Sequence, residues 1–146
     1  MDTLENENVA QIALVVDDIE KYIDAYTKAF GIERPPVRVT DTKEISHVKY
    51  MGKSTDARAK QAFVKLGNLQ IELIEPVGEP SVWGDYLKKH GPSVHHIAFR
   101  TKDKKPIIER LGLEVTQTGV FKGGNYTYLR GDEKLGMDVE ILEMTG

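Results

Sequence analysis

Val94-His95-His96-Ile97-Ala98-Phe99-Arg100-Thr101 repeats an earlier stretch, Val9-Ala10-Gln11-Ile12-Ala13-Leu14-Val15-Val16, and that correspondence decides how the chain is read. Each run begins with valine, carries a polar residue in third place, and continues Ile-Ala and then Leu or Phe. Both are short, apolar and bounded by polar or glycine-containing sequence, which is the signature of a strand. Helical spacing follows in both places. Ile19, Tyr22, Ile23, Tyr26 and Phe30 recur between Asp17-Asp18 and Gly31, and residues 102–111, with Pro106 in the first turn, precede Gly112. Three strand-like stretches come next in each half, around 44–51, 60–66 and 69–75 in the first, and 114–121, 125–130 and 137–143 in the second. The last of each set also correspond: LQIELIE and MDVEILE place Glu72 opposite Glu140. The first half is the longer one, and its surplus falls between Pro35 and Lys60. The chain therefore reads as a two-fold internal repeat, strand–helix–three strands, twice. Between the halves, residues 81–90 read as a short helix with Trp83, Tyr86 and Leu87 as apolar contacts and Gly91 as its stop.

Composition narrows the function. The chain has 146 residues, 40% of them hydrophobic and 29% charged, so one ordinary globular domain with a proper core is expected. A net charge of -3 and the lack of a basic run interleaved with aromatics argue against nucleic-acid binding. With no cysteine, thiolate nucleophiles and sulfur-ligated metals are excluded. No apolar run approaches the roughly 18 residues of a membrane helix. The first ten residues, MDTLENENVA, lack the basic start and apolar core of a signal peptide, so a cytoplasmic protein is expected.

Successive side chains on a strand point to opposite faces. Gln11 then faces away from Ile12 and Leu14, His96 from Ile97 and Phe99, Glu72 from Ile71 and Leu73, and Glu140 from Val139 and Ile141. The aliphatic faces pack on helices, and the four polar residues look out of the opposite, concave face, at repeat-equivalent positions. His95, by the same alternation, faces the packing side. One imidazole, two carboxylates and one amide suit an octahedral divalent metal with open positions. Each residue alone has a plainer reading: a rim glutamine, two half-exposed glutamates on a sheet, and a packed, hydrogen-bonded histidine.

LGNLQIELIEP (66–76) and HGPSVHHIAF (90–99) resemble the vicinal oxygen chelate superfamily, and within it methylmalonyl-CoA epimerases and their relatives. The resemblance covers about Val9 to Glu143. It implies an α+β fold, two tandem βαβββ modules forming a curved mixed sheet around a metal-binding cleft. A single domain spans 1–146, with module one at about 8–76, the connecting helix at about 81–90 and module two at about 93–144. It also implies Gln11, Glu72, His96 and Glu140 as ligands of one divalent ion (Zn, Ni, Co, Mn, Fe or Mg), and a homodimer. The Gln/Glu/His/Glu set is similar to that of many glyoxalase I enzymes, whereas epimerases usually carry His first and Gln second. The epimerases' further catalytic glutamate has Glu44 as its nearest acidic counterpart.

The chemistry common to both groups is proton abstraction next to a carbonyl, on a small oxo acid, a thioester or an oxo-sugar. In that reading Glu140 is the base and Glu72 its partner. The alternative is a non-catalytic small-molecule binder of the same fold, or a resistance-type member. Three further positions have plain readings as well as functional ones. His47 is a solvated strand residue or lines the cleft. His90 sits at a helix C-terminus, where the dipole favours a cation. Gly123-Gly124, beside Lys122, forms a turn or a flexible loop over substrate.

Overall fold

A computed structural model describes residues 9–145. The acidic N-terminal stretch, and with it the first residue assigned to module one, lie outside the described residues. Ten strands form one mixed sheet, curled into a half-barrel, with five helices. Module one supplies β1 (Val9–Val15), α1 (Ile19–Phe30), β2 (Arg38–Val39), β5 (Arg58–Leu66) and β6 (Leu69–Val77). Module two supplies β7 (Ser93–Thr101), α4 (Lys105–Leu111), β8 (Val115–Phe121), β9 (Gly124–Leu129) and β10 (Asp138–Met144). Between β2 and β5 lie α2 (Lys43–Ser46), β3 (Lys49–Tyr50) and β4 (Lys53–Ser54); α3 (Val82–His90) joins the modules and α5 (Asp132–Leu135) precedes β10.

The order β2-β5-β6-β1-β7-β10-β9-β8-β3-β4 contains the repeat in plain form. Outward from the centre, β1 is followed by β6, β5 and β2, and β7 by β10, β9 and β8. Each first strand is parallel to its fourth, while β1 and β7 meet antiparallel. The register obeys the same symmetry. Ile12 pairs with its equivalent Ile97, Gln11 pairs with Ala98 and Ala13 with His96, while Glu72 lies beside Ala13 and Glu140 beside Ala98. Even the irregularities are shared, for the register slips once at Ala10 and once at its counterpart His95. Each slip is a β-bulge, two residues facing one.

Local sequence accounts for the helices. Asp18 caps α1 by accepting from the Lys21 amide, and Gly31 ends it at φ 62°, a left-handed backbone that favours glycine. Its apolar stripe, Ile19 and Ile23, packs with Ala62, Val64, Ile71 and Leu73 on the convex face. Each fully buried Ile contributes about 1.5–3 kcal/mol. Module two repeats this with Ile107 of α4 on Leu129, Val139 and Ile141. The helix expected over 102–111 starts three residues later, at Lys105, because β7 runs on to Thr101.

α3 behaves differently. Capped by Ser81 through the Gly84 amide, it sends Val82, Trp83 and Tyr86 onto Ala13, Val15, Ala59, Ile74 and Tyr128. Strand alternation puts those sheet residues on the concave side, so α3 plugs one end of the trough. The surplus of module one has a function in the topology too. β2 lies at one edge of the sheet and β3–β4 at the other, so the segment carrying α2 crosses the open side. The strand expected over 44–51 is therefore replaced by a helical turn and a two-residue strand. His47 (φ 51°) and Met51 (φ 50°) adopt left-handed backbone that no strand accommodates. No described helix is long and apolar enough to cross a membrane.

Candidate metal centre

Four adjacent strands, β6-β1-β7-β10, each place one polar side chain on the floor of the trough: Glu72, Gln11, His96 and Glu140. All four are buried, His96 completely. What clears the space is Ala13 and Ala98, both fully buried, between Glu72 and His96 and between Gln11 and Glu140 respectively.

Glu72 is held from both sides. Gln11 Nε2 donates to Oε1 at 2.5 Å and Gln61 Nε2 to Oε2 at 2.7 Å. His96 Nε2 stands 3.2 Å from Glu140 Oε1 and 3.7 Å from Glu72 Oε1. Neither contact is in line, so His96 Nε2 and Glu140 Oε1 have no hydrogen-bond partner among the described residues. Buried polar atoms without partners are rare in native proteins. Donor atoms of Glu72, His96 and Glu140 lie within 4.8 Å of one another. Two carboxylates and one imidazole nitrogen, converging with two of their atoms unpartnered, fit a divalent cation of the first transition row or Mg.

The electrostatics match. Burial, with Glu140 adding to it, pushes the Glu72 carboxyl up to about 7, against the opposing pull of His96 and Gln61. At His96 burial pulls the other way, but Glu140 and Glu72 outweigh it and hold the imidazolium up. At His95 burial outweighs the opposing pull of Asp138 and pushes the ring down to about 4. Burial carries Tyr128 well above its usual range and Tyr126 to about 12, so both phenols keep their protons beside the carboxylates.

The trough opens as a cleft of about 250 Å³. Gln11, Glu72 and Glu140 line its floor, while Phe63, Phe121 and Leu142 are among its apolar walls. Arg38 and Arg100 stand on its rim, Arg38 bonded to Gln61 at 3.1 Å and lying over the Phe63 ring.

Several sequence expectations find different places. His95 does not face the convex packing side. The bulge at its position turns it inward, where its Nδ1 lies 2.8 Å from that of His96 and its ring packs on Tyr86 of α3 and on Tyr128. His47 is exposed as the left-handed cap of α2, while its neighbours Ser46 and Val48 line the cleft. Glu44 is exposed in the first turn of α2, and the acidic residue that lines the cleft from this segment is Asp41. Gly123-Gly124 forms the β8–β9 turn. A side chain at Gly124 would strike the Glu143 carbonyl at 2.2 Å, which explains that glycine by close approach. His90 does end α3, stacked on Tyr86 and 3.6 Å from Asp132.

Gln61, Tyr126 and Tyr128 were not among the sequence candidates. The signal was present: the turn at Gly67-Asn68 sets Phe63 against Glu72 and Gln61 against Ile74, so Gln61 shares the floor. In module two the same count sets Tyr128 against Glu140, and Tyr126 occupies the place of Gln61.

The family model described as the Glyoxalase/Bleomycin resistance protein/Dioxygenase superfamily matches residues 10–129. Among solved structures, the chain is similar to the methylmalonyl-CoA epimerase of Mycobacterium tuberculosis, with a TM-score of 0.63 at 17% identity, over 95% of this chain and 89% of that one. A variant of the Streptomyces coelicolor methylmalonyl-CoA epimerase in complex with 2-nitronate-propionyl-CoA gives a TM-score of 0.62 at 21% identity, over 95% and 98%. A hypothetical protein from Bacillus halodurans C-125 gives 0.62 at 20%, over 94% of each chain. At these identities the likeness is one of fold. No curated protein matches the sequence significantly.

Proposed function

The chain belongs to the glyoxalase/bleomycin resistance protein/dioxygenase superfamily, and on that premise we propose that it is a divalent-metal-dependent enzyme that abstracts a proton next to a carbonyl. Its reaction is that of an epimerase or isomerase, or of a glyoxalase-type lyase. The observation that carries this reading is the convergence of Glu72, His96 and Glu140 donor atoms within 4.8 Å on the floor of an open cleft. Gln11, Glu72, His96 and Glu140 hold the ion, two residues from each module. The modules, about 8–76 and 93–144 with the helix of about 81–90 between them, therefore work as one unit, in a chain read as a cytoplasmic homodimer.

A bound divalent ion supplies Lewis acidity to a carbonyl oxygen. The chain's own residues do the rest. Glu140 lines the cleft, and its Oε1 has no hydrogen-bond partner among the described residues, the condition of a base whose carboxylate is not tied up by the protein. Glu72, on the same floor two strands away from Glu140's neighbour β7, is the carboxylate placed to return a proton. Tyr126, protonated and on the cleft wall, offers an O–H to a substrate oxygen. The plug formed by Trp83 and Tyr86 closes the inner end of the trough to water. Arg38 and Arg100 on the rim suit a carboxylate or phosphate on the substrate. Because the similar Streptomyces coelicolor epimerase forms its complex with an acyl-CoA compound, an acyl thioester is the first substrate to try, ahead of a small oxo acid or an oxo-sugar.

The test is incubation of metal-loaded protein in heavy water with thioesters, oxo acids and hemithioacetals, following loss of α-proton signals by NMR. Catalysed exchange with at least one class is expected. Binding without exchange across the panel would identify a non-catalytic member of the fold instead.

A further inference from the structure

The floor of the trough is nearly symmetric between the modules, but its walls are not. By register Arg38 stands beside Gln61 in module one, and Gly119 stands beside Tyr126 at the equivalent place in module two. A side chain at Gly119 would begin 2.5 Å from the Tyr126 ring and hydroxyl, so that wall is a phenol laid against bare backbone. The opposite wall carries a guanidinium, and it is held. Arg38 Nε donates to Gln61 Oε1 at 3.1 Å, and its guanidinium lies over the Phe63 ring, 5.2 Å from the centre. Arg34 and Arg130 are paired with carboxylates away from the cleft, whereas Arg38 has no ion-pair partner among the described residues. Asp41, which also reaches the cleft, is exposed and does not pair with it. Arg100 shares the rim, but among the described residues it has no hydrogen bond or stacking contact to fix it.

From this asymmetry we infer that Arg38 is a specificity-determining residue that binds a carboxylate on the substrate, a few bonds from the reacting carbonyl. An arginine fixed through Nε and one ring face presents Nη1 and Nη2 as a fork, which matches a carboxylate with two parallel hydrogen bonds. Because the side chain is already ordered, little freedom is lost when the anion arrives. One amide, that of Gln61, separates the guanidinium from Glu72. A carboxylate at Arg38 and a carbonyl at the floor therefore belong to one small acyl or oxo-acid unit, which rules out a distant phosphate as the group bound there. Gly119 supplies no second cation across the cleft, so the substrate takes one orientation, carboxylate toward module one. The assignment rests on the floor as the place of the carbonyl, but one of its readouts does not need the metal.

Glutarate and its monoamide, glutaramate, test it, because they share a shape and differ by one carboxylate. In calorimetric titrations of zinc-loaded protein, glutarate should bind about 10-fold more tightly than glutaramate, the scale of hydrogen bonds to a charged group. Arg38→Met should abolish that preference. Arg38→Lys keeps the charge but not the fork, and should resemble Arg38→Met more than wild type. In metal-free protein, the Arg38 Nε–H resonance, identified by its loss in Arg38→Met, should move with glutarate and not with chloride at equal ionic strength. A resonance that does not move would overturn the inference, whether or not the variants fold. So would a glutarate preference that survives in Arg38→Met, or one that Arg38→Lys restores in full. The expected resonance shift in a protein that binds no zinc would instead refute the metal reading and leave Arg38 as a carboxylate site.

Discussion

Ala13 and Ala98 occupy equivalent places in the two modules, each fully buried between two of the polar residues of the trough floor. Ala13 separates Glu72 from His96, and Ala98 separates Gln11 from Glu140. A larger side chain at either place would occupy the volume into which the four polar groups converge. The site is therefore made as much by the absence of bulk on the central strands as by the donors themselves.

Ala98→Val should accordingly remove metal binding while leaving a folded protein. Adding carbon to a close-packed floor costs about 1–3 kcal/mol, which thermal denaturation will register, and zinc titration of the same sample should show no saturable site. Unimpaired zinc binding would place the ion away from Ala98.

Glu140→Gln keeps the shape of the side chain and removes its basicity. The rate of α-proton exchange should fall about 10²–10⁴-fold. Metal content measured on the same preparation separates loss of the base from loss of the ion. A metal-loaded variant that retained wild-type exchange would remove Glu140 from the role of base.

Gln61 donates to Glu72 Oε2 and so favours the charged form of that carboxyl. Gln61→Ala should raise the Glu72 titration further, by about one unit for the loss of a hydrogen bond to a charged group. Carboxyl ¹³C shifts in metal-free protein report it directly. A downward shift would contradict the assigned direction.

The metal-free protein should lose stability as pH rises from 6.5 to about 8. Glu72, near 7 in the folded protein against 4.5 unfolded, binds extra protons when folded, so its contribution falls as pH rises through that interval. His96, raised above 6.5, acts in the same direction at the upper end. His95, near 4 when folded, opposes them only between 4 and 6.5, because there the unfolded chain binds the proton. Above 6.5 the first two act unopposed, and Glu72 alone accounts for a loss of about 1 kcal/mol by pH 8. A divalent ion replaces those protons, so metal should stabilise the protein most at the alkaline end. Denaturation scans with chelator and with zinc check both slopes.

The features legible in the sequence were those encoded locally or by repetition. Asp18 and Gly31 mark both ends of α1 without reference to anything distant, and the repeat alone pairs Glu72 with Glu140 and Gln11 with His96. What escaped depends on long-range geometry. Strand alternation fails at His95 because a bulge is a property of two paired strands, not of the sequence of one. The left-handed His47 and Met51 arise where the inserted segment must turn while crossing the open side of the sheet. The apolar stripe of α3 says which face is buried but not which side of the sheet receives it, and only the fold shows that it plugs the trough. Gln61 was within reach, by counting register back from Gly67-Asn68.

Gln11, Glu72, His96 and Glu140 are proposed to bind one divalent ion on the trough floor. Anomalous diffraction at the zinc edge from crystals of zinc-loaded protein tests it most directly. One strong peak per chain is expected, at about 2.0–2.2 Å from His96 Nε2 and from oxygens of Glu72 and Glu140. A floor without a peak, or a peak held by other residues, would contradict the claim.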